Sequence, residues 1–410
     1  MNEYSVLISG AGIAGPALAH WLHRQGIRST IVEQAPDVRL GGQAVDLRGL
    51  GEVVAERMGI MPRVRERIVH EKGLRYVDSA GRELATMPAD LFVGDGSPVT
   101  EIEIMKGDLT EILHELIADH TEIIFGDRIT AMADGPDGVT VTFRSGLVRT
   151  FDIVVGADGI HSGVRALAFG PESDFVVHLG AYLGYCTVLD AGPLDAWFDM
   201  YNEPGRMLAL RPERGGAARA MLAFADTGID VDRRDVASQK RLLHEVFAGM
   251  GWRSDELLAA ADADDEFHLD TVSQVHMDSW TRGRVALLGD AGYCGSPLTG
   301  MGTSLALVGA YVLAGELGRA RGDHATAFAR YEETMRPYVA ASHTLPPGGV
   351  EGFLPRGRFM LRMRVLSARL MHHWPMRQLV ARMLDKSDAI VLPEYEAAAK
   401  TTRAGAGAAS

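Results

Sequence analysis

Residues 4–33 read YSVLISGAGIAGPALAHWLHRQGIRSTIVE, and their order decides the fold. Tyr4 to Ser9 is a short apolar run stopped by Gly10, which reads as a buried strand. Residues 13–25 space their apolar side chains as a helix does, up to Gly26. RSTIVE, residues 28–33, is β-branched and strand-like. Strand, glycine turn, helix and strand together open a parallel α/β sheet. The turn itself, Gly10-Ala11-Gly12-Ile13-Ala14-Gly15, has the pattern GxGxxG. There Gly10 permits the tight turn, Gly12 lets a pyrophosphate approach the backbone, and Gly15 lets the helix pack on the sheet. Ile13 and Ala14 open the helix, whose free N–H groups and partial positive charge suit an anion. Glu33 ends the second strand, where a carboxylate can accept hydrogen bonds from a ribose. The alternative is a bland βαβ unit in which Glu33 merely solvates a strand end. The motif favours a dinucleotide but does not choose between FAD and NAD(P).

Around this start the chain has 410 residues, enough for two or more domains, with 47% apolar and 23% charged residues. That composition predicts a soluble globular protein. A formal charge of −13 disfavours a nucleic-acid partner. Cys186 and Cys294 lie far apart, imply no disulfide framework and fit a reducing compartment. The N-terminus lacks a basic n-region and a long apolar run, so a signal peptide and a membrane span are not expected, and the cytoplasm is the default location.

Farther along, DLTEILHELIA sets Leu109, Ile112, Leu113 and Leu116 on one helical face. EIIF, VTVTF and the buried-type FDIVVG follow as strands. Between residues 175 and 275, GAYLGYCTVL, WFDMYN, RMLALRP, ARAMLAFA and EFHLDTVSQV are separated by turn residues, as in an antiparallel sheet. RVALLG at 284–289 returns to the parallel type. The expected fold is therefore α/β: a Rossmann-like dinucleotide domain interleaved with an antiparallel-sheet domain, then C-terminal helices. The expected segments are 1–72, 101–174 and 276–342 for the first domain and 73–100 and 175–275 for the second. A helical segment at 343–398 and a disordered tail at 399–410 complete the chain.

Two further motifs, FDIVVGADGIHSGVR (151–165) and GRVALLGDAGYCGSPLTGMGTSLALVGAYVLAGEL (283–317), settle the cofactor. With the first motif they resemble the flavoprotein monooxygenases of the para-hydroxybenzoate hydroxylase type, which include aromatic polyketide hydroxylases and tetracycline-inactivating monooxygenases. The resemblance spans roughly residues 1–340 and implies FAD. It implies cofactor contacts from Asp158, with Arg165 beside it, although a surface salt bridge is as good a reading of Arg165. It further implies that Asp290 accepts a hydrogen bond from the ribityl chain. Pro297, Gly300, Met301, Gly302, Thr303 and Ser304 would lie beside the flavin ring, at a helix start suited to negative charge. In the loop GGQAVDLRG (41–49), Asp46 matches a flavin-contacting position, with Gln43 and Arg48 beside it, though each also reads as an ordinary turn residue.

This chain departs from the family pattern at several places. Gly292-Tyr293 stands where Ala-His is common, Ser304 where Asn is, and Gly309 where Asp is. Lys106 replaces a frequent Arg, keeping the charge but losing the planar fork. Cys294 reads as a small buried side chain rather than a redox thiol. No catalytic base and no metal-ligand spacing stands out. Tyr182, Tyr185, Tyr201, Arg206 and Arg211 lie on the expected substrate sheet, where pocket, surface and core roles are all open. The arginine-bearing segment 357–384 is expected to pack across both domains rather than bind a membrane firmly, and to break at Pro375.

The resemblance implies an FAD monooxygenase. It would use NADPH or NADH as a transient reductant and molecular oxygen, and would hydroxylate an aromatic or polyketide-like small molecule through a flavin C4a-hydroperoxide. A flavin reductase or dehydrogenase of a natural-product pathway on the same fold is the alternative. The oligomeric expectation is a monomer or a homodimer.

Overall fold

The computed structural model describes residues 4–39, 41–69, 71–89, 102–213, 216–226, 228, 231–370 and 390–395. The expected break at Pro375 and the expected disordered tail lie outside them.

A six-stranded sheet forms the nucleus, in the order Thr281–Arg282, Val285–Leu287, Ile153–Gly156, Ser5–Ser9, Arg28–Glu33, Glu122–Phe125. All neighbours run parallel except the first pair. Val6, Leu7 and Ile8 have no exposed surface. Helices Ala14–Arg24 and Gly302–Ala320 pack on each other in the same core. Covering of both faces is why this strand is continuously apolar rather than alternating. The strands preceding the three glycine-rich motifs are adjacent in the sheet. Gly10, Ala157 and Leu288 consequently emerge side by side at the C-terminal ends of parallel strands, where open α/β sheets bind ligands.

The second sheet has seven strands: His268–Val275, Val176–Val188, Ala218–Ala225, Arg206–Pro212, Trp197–Glu203, Gly73–Val77 and Glu83–Pro88. It is antiparallel except where Trp197–Glu203 pairs with Gly73–Val77. Helices Val236–Phe247 and Ser254–Ala263 cover one face, burying Leu243, Phe247 and Leu257 against Tyr182, Tyr201 and Phe224. Sequence periodicity read this stretch as strands alone, and it missed both helices. The other face carries Leu183, Met200, Met207 and Ala209, and receives Leu298 from the third glycine motif.

VTVTF is a strand as expected, in a separate three-stranded antiparallel sheet with Ile129–Gly135 and Val148–Phe151. One more expectation needs correction. The stretch at 41–49 is not all loop, since Ala44–Asp46 pairs with Glu103–Met105. Helix Arg358–Leu370 packs on strands Glu83–Pro88 and Trp197–Glu203 of the second sheet. Arg364 binds Asn202 Oδ1 at 3.2 Å and Arg369 binds the Leu84 carbonyl at 2.7 Å.

Candidate functional site

Gly10 takes φ +108°, and an added Cβ would collide with the Ala157 carbonyl of the neighbouring motif. A Cβ on Gly15 would collide with the Gly10 carbonyl, whereas one on Gly12 would meet nothing within 4 Å. Two glycines therefore serve packing, and the third keeps an open approach to the backbone. Glu33 holds the turn: its carboxylate accepts from Ala11 N at 2.9 Å and Ala35 N at 2.8 Å. His114, which sequence reasoning missed, sits with Nε2 2.7 Å from the Ala11 carbonyl and so donates to it. Ile13 is half-buried and Ala14 buried at the start of the helix.

Lys106 opens helix Lys106–Ile117, and its N–H donates to the Gln43 carbonyl at 3.0 Å. Both Lys106 and Asp290 keep solvent-accessible side chains. Even so, enough protein surrounds them that desolvation lowers the Lys106 ammonium and raises the Asp290 carboxyl, each being the other's opposing charge. Accessible to solvent yet desolvated by the protein around them, the two groups lie on the floor of a groove. Asp290 Oδ1 is 3.8 Å from where a Cβ on Gly302 would stand, at the start of helix Gly302–Ala320. Pro297 begins a 3-10 turn, Gly300 is left-handed at φ +64°, and its added Cβ would lie 2.8 Å from Asp46 Oδ2. Asp46 and Arg48 pair at 2.7 Å beside it. Glu33, Gln43, Asp46, Arg48, Lys106, Asp290 and Gly300 thus come together around one groove.

Other sequence candidates point into the protein. Asp158 accepts from Ser162 Oγ and, at 3.1 Å, from Val164 N, so it orders its own loop. Arg165 is no surface residue: it has no exposed area and donates to Ala291 O at 2.9 Å and Ile160 O at 2.5 Å. It ties the second motif to the third. Thr303 and Met301 are buried. Ser304 Oγ accepts from Arg48 N at 3.2 Å and donates to Arg48 O at 3.1 Å, pinning the Asp46–Arg48 segment to the helix. Cys294 is buried and its thiol is pushed up by burial.

Tyr185, Met221 and Ala209 are lateral neighbours across three strands, and Tyr185 also pairs with His268. Tyr185 stacks on His268 with centroids 5.3 Å apart, and Arg211 lies 4.4 Å from the centre of the Phe198 ring. Lys106 is close enough to His268 to help lower its pKa, after the larger effect of burial. This face of the sheet therefore looks onto the groove. Tyr182 and Tyr201 occupy the opposite face under the helices, and Arg206 is engaged by Glu203 and by Val246 O at 2.7 Å. Those three are not groove residues. Two others unmarked by any local pattern, Glu71 and Glu103, ion-pair with Arg211 at 2.8 and 2.6 Å. Burial is the main cause that pushes the Glu71 carboxyl up to about 7, against the pull of Arg211.

An open glycine turn, a cation and a carboxylate on the groove floor, and a helix start beside them fit an FAD dinucleotide. Residues 3–343 match the family described as FAD binding domain, and the chain belongs to that family of FAD-dependent monooxygenases. A flavin-dependent monooxygenase from an unknown prokaryotic organism is 36% identical over 396 residues, covering 96% of this chain and 100% of the relative. The FAD-dependent monooxygenase asL6 of Sarocladium schorii is 32% identical over 418 residues, covering 95% and 97%. The crystal structure of tetracycline destructase Tet(55) superposes with a TM-score of 0.81 at 36% identity, covering 96% of this chain and 100% of that one. Among the described residues no helix is long and apolar enough to cross a membrane.

Asp290 tests the groove directly. An Asp290→Ala protein is expected to bind FAD about tenfold more weakly, or about 1.4 kcal/mol, since a charged acceptor is lost. Fluorescence titration of the FAD-free protein measures this, and unchanged affinity would remove Asp290 from the site.

Proposed function

We propose that this protein is an NADPH- or NADH-dependent FAD monooxygenase that uses dioxygen to hydroxylate an aromatic or polyketide-like small molecule. The observation that carries this reading is the π-rich sheet face opposite the groove floor, where Tyr185 stacks on His268 and Phe198 lies under Arg211. Flat rings suit a planar substrate, and similarity to a tetracycline destructase supports a polycyclic one. FAD, when bound, supplies the reduction of dioxygen and the transfer of one oxygen atom. The chain's own residues bind and orient. The Gly10–Gly15 turn and Glu33 receive the adenosine half, Lys106 offsets phosphate charge, and Asp290 accepts from the ribityl chain. The start of helix Gly302–Ala320 presents N–H groups to the ring end. Tyr185, Met221 and Phe198 exclude water from the substrate side.

The test uses FAD-loaded protein, NADPH or NADH, isotopically labelled dioxygen, and tetracycline and naphthols as probes. Mass spectrometry is expected to find one labelled oxygen atom in a product. Reduction by the nicotinamide with no labelled product from any probe would favour the reductase alternative.

A further inference from the structure

Three carboxylates and two guanidinium groups meet where the paired strands Ala44–Asp46 and Glu103–Met105 approach the seven-stranded sheet. Asp46 and Glu103 are direct cross-strand partners. Arg48 holds Asp46 at 2.7 Å, while Arg211 reaches Glu103 at 2.6 Å and Glu71 at 2.8 Å. Counted as ordinary ionised groups, these five described side chains carry one negative charge in excess. Three of these side chains are nearly enclosed, with Glu71 5%, Glu103 12% and Arg211 17% exposed. A buried, uncompensated carboxylate is costly, and the least costly relief is a proton on one of the acids.

Geometry selects which acid carries it. Glu103 accepts a hydrogen bond from Arg211 Nη1. Glu71 Oε1 lies within ion-pair distance of Arg211 Nε, yet among the described residues neither atom has a hydrogen-bond partner, because the contact is off the N–H direction. Glu71 therefore has the lone pair and the least stabilised negative charge. The cluster also touches both sides of the groove. Asp46 abuts Gly300 of the flavin-side loop, and Arg211 lies over Phe198 and within electrostatic reach of Tyr185 on the substrate-side sheet.

We propose that Glu71 is the proton-exchanging group of this site, its ionised form taking the hydroxyl proton of a phenolic or enolic substrate while Arg211 faces the oxygen anion left behind. The substrate O–H bond breaks and an O–H bond forms on Glu71. The electron pair stays on the substrate oxygen, so one negative charge moves from the carboxylate to that oxygen and total charge is unchanged. The oxyanion is the electron-rich form that a ring hydroxylation needs, and in this the proposal rests on the hydroxylase function. Among the described residues, the groups that act on Glu71 do so in known directions: Glu103 and Asp46 raise its proton affinity, as burial does most strongly, and Arg211 lowers it. Burial raises Glu103 as well, so the two acids share the tendency to keep a proton.

Infrared titration of the FAD-loaded wild-type protein, from about pH 5 to about pH 9, spans ordinary and raised carboxyl values. A carboxylic-acid carbonyl band is expected to bleach as pH rises through about 7. It should vanish in Glu71→Gln and persist, shifted to lower pH, in Glu103→Gln, where one neighbouring negative charge is gone. A wild-type protein with no such band overturns the proposal without recourse to any variant. So does a band that still bleaches through about 7 in a folded Glu71→Gln protein. FAD content is read on the same samples. Failure to take up FAD refutes the flavoprotein function, while the carboxyl titration still gives its own answer for Glu71.

Discussion

A Gly12→Val protein is expected to fold and melt like its parent, yet to lose FAD affinity by about 100-fold or more, roughly 2.7 kcal/mol. An added Cβ at Gly12 meets nothing within 4 Å, and its φ is not in the left-handed region, so the chain itself has no objection to a side chain there. The open space is the approach path to the backbone N–H groups at the start of helix Ala14–Arg24, and a branched side chain in it keeps a pyrophosphate away. Gly15→Ala is the contrasting case. Its methyl group would collide with the Gly10 carbonyl, so FAD affinity and the melting temperature of the FAD-free protein should fall together. Calorimetry of the FAD-free proteins and fluorescence titration with FAD separate the two outcomes. Parental FAD affinity in Gly12→Val would mean that the dinucleotide does not cross this turn.

Much of this architecture is legible in the sequence because its signals are local. The parallel strands are apolar runs that end on glycine, and each glycine turn announces itself within six residues. The candidate groove residues Glu33 and Asp290 are picked out for the same reason, each at the end or beginning of an element, whereas Lys106 is picked out only by the family resemblance. Elements with amphipathic, ordinary composition are harder. The helices Val236–Phe247 and Ser254–Ala263 lie inside a region dominated by strand signals, and their apolar faces are defined by Leu243, Phe247 and Leu257 packing on a sheet assembled from distant segments. The Glu71–Arg211–Glu103 cluster is illegible altogether, because its members are joined across 108 residues or more and no spacing rule connects them. Arg165 was ambiguous for a related reason: only the third motif's Ala291 carbonyl, brought alongside by the strand order, makes it an interior group.

The departures at Tyr293 and Gly309 have one shared explanation, and it carries a sharp prediction. Tyr293 is buried, and its hydroxyl lies 2.8 Å from that of Tyr331, which in turn donates to Leu287 O at 3.0 Å. A Cβ on Gly309 would collide with that Tyr293 hydroxyl and would stand 2.9 Å from Leu288 Cδ1. The large residue at 293 thus needs the absence of a side chain at 309, one turn-packed pair replacing another, and both positions lie behind the groove rather than in it. Gly309→Ala should destabilise the protein by about 1–3 kcal/mol from overpacking, less about 1 kcal/mol regained from helix propensity. Tyr293→Phe alone should cost about 1 kcal/mol, the worth of one hydrogen bond, because Tyr331 keeps its bond to Leu287 O. Combined, the two changes should cost less than their sum by about 1 kcal/mol, since removing the hydroxyl opens the space the methyl group needs; Leu288, at the end of a flexible side chain, can move aside. Urea denaturation of the four proteins measures the cycle. Additivity within about 0.5 kcal/mol would show that positions 293 and 309 do not share that space. FAD affinity should be nearly unchanged in every folded member of the cycle, because neither side chain faces the groove.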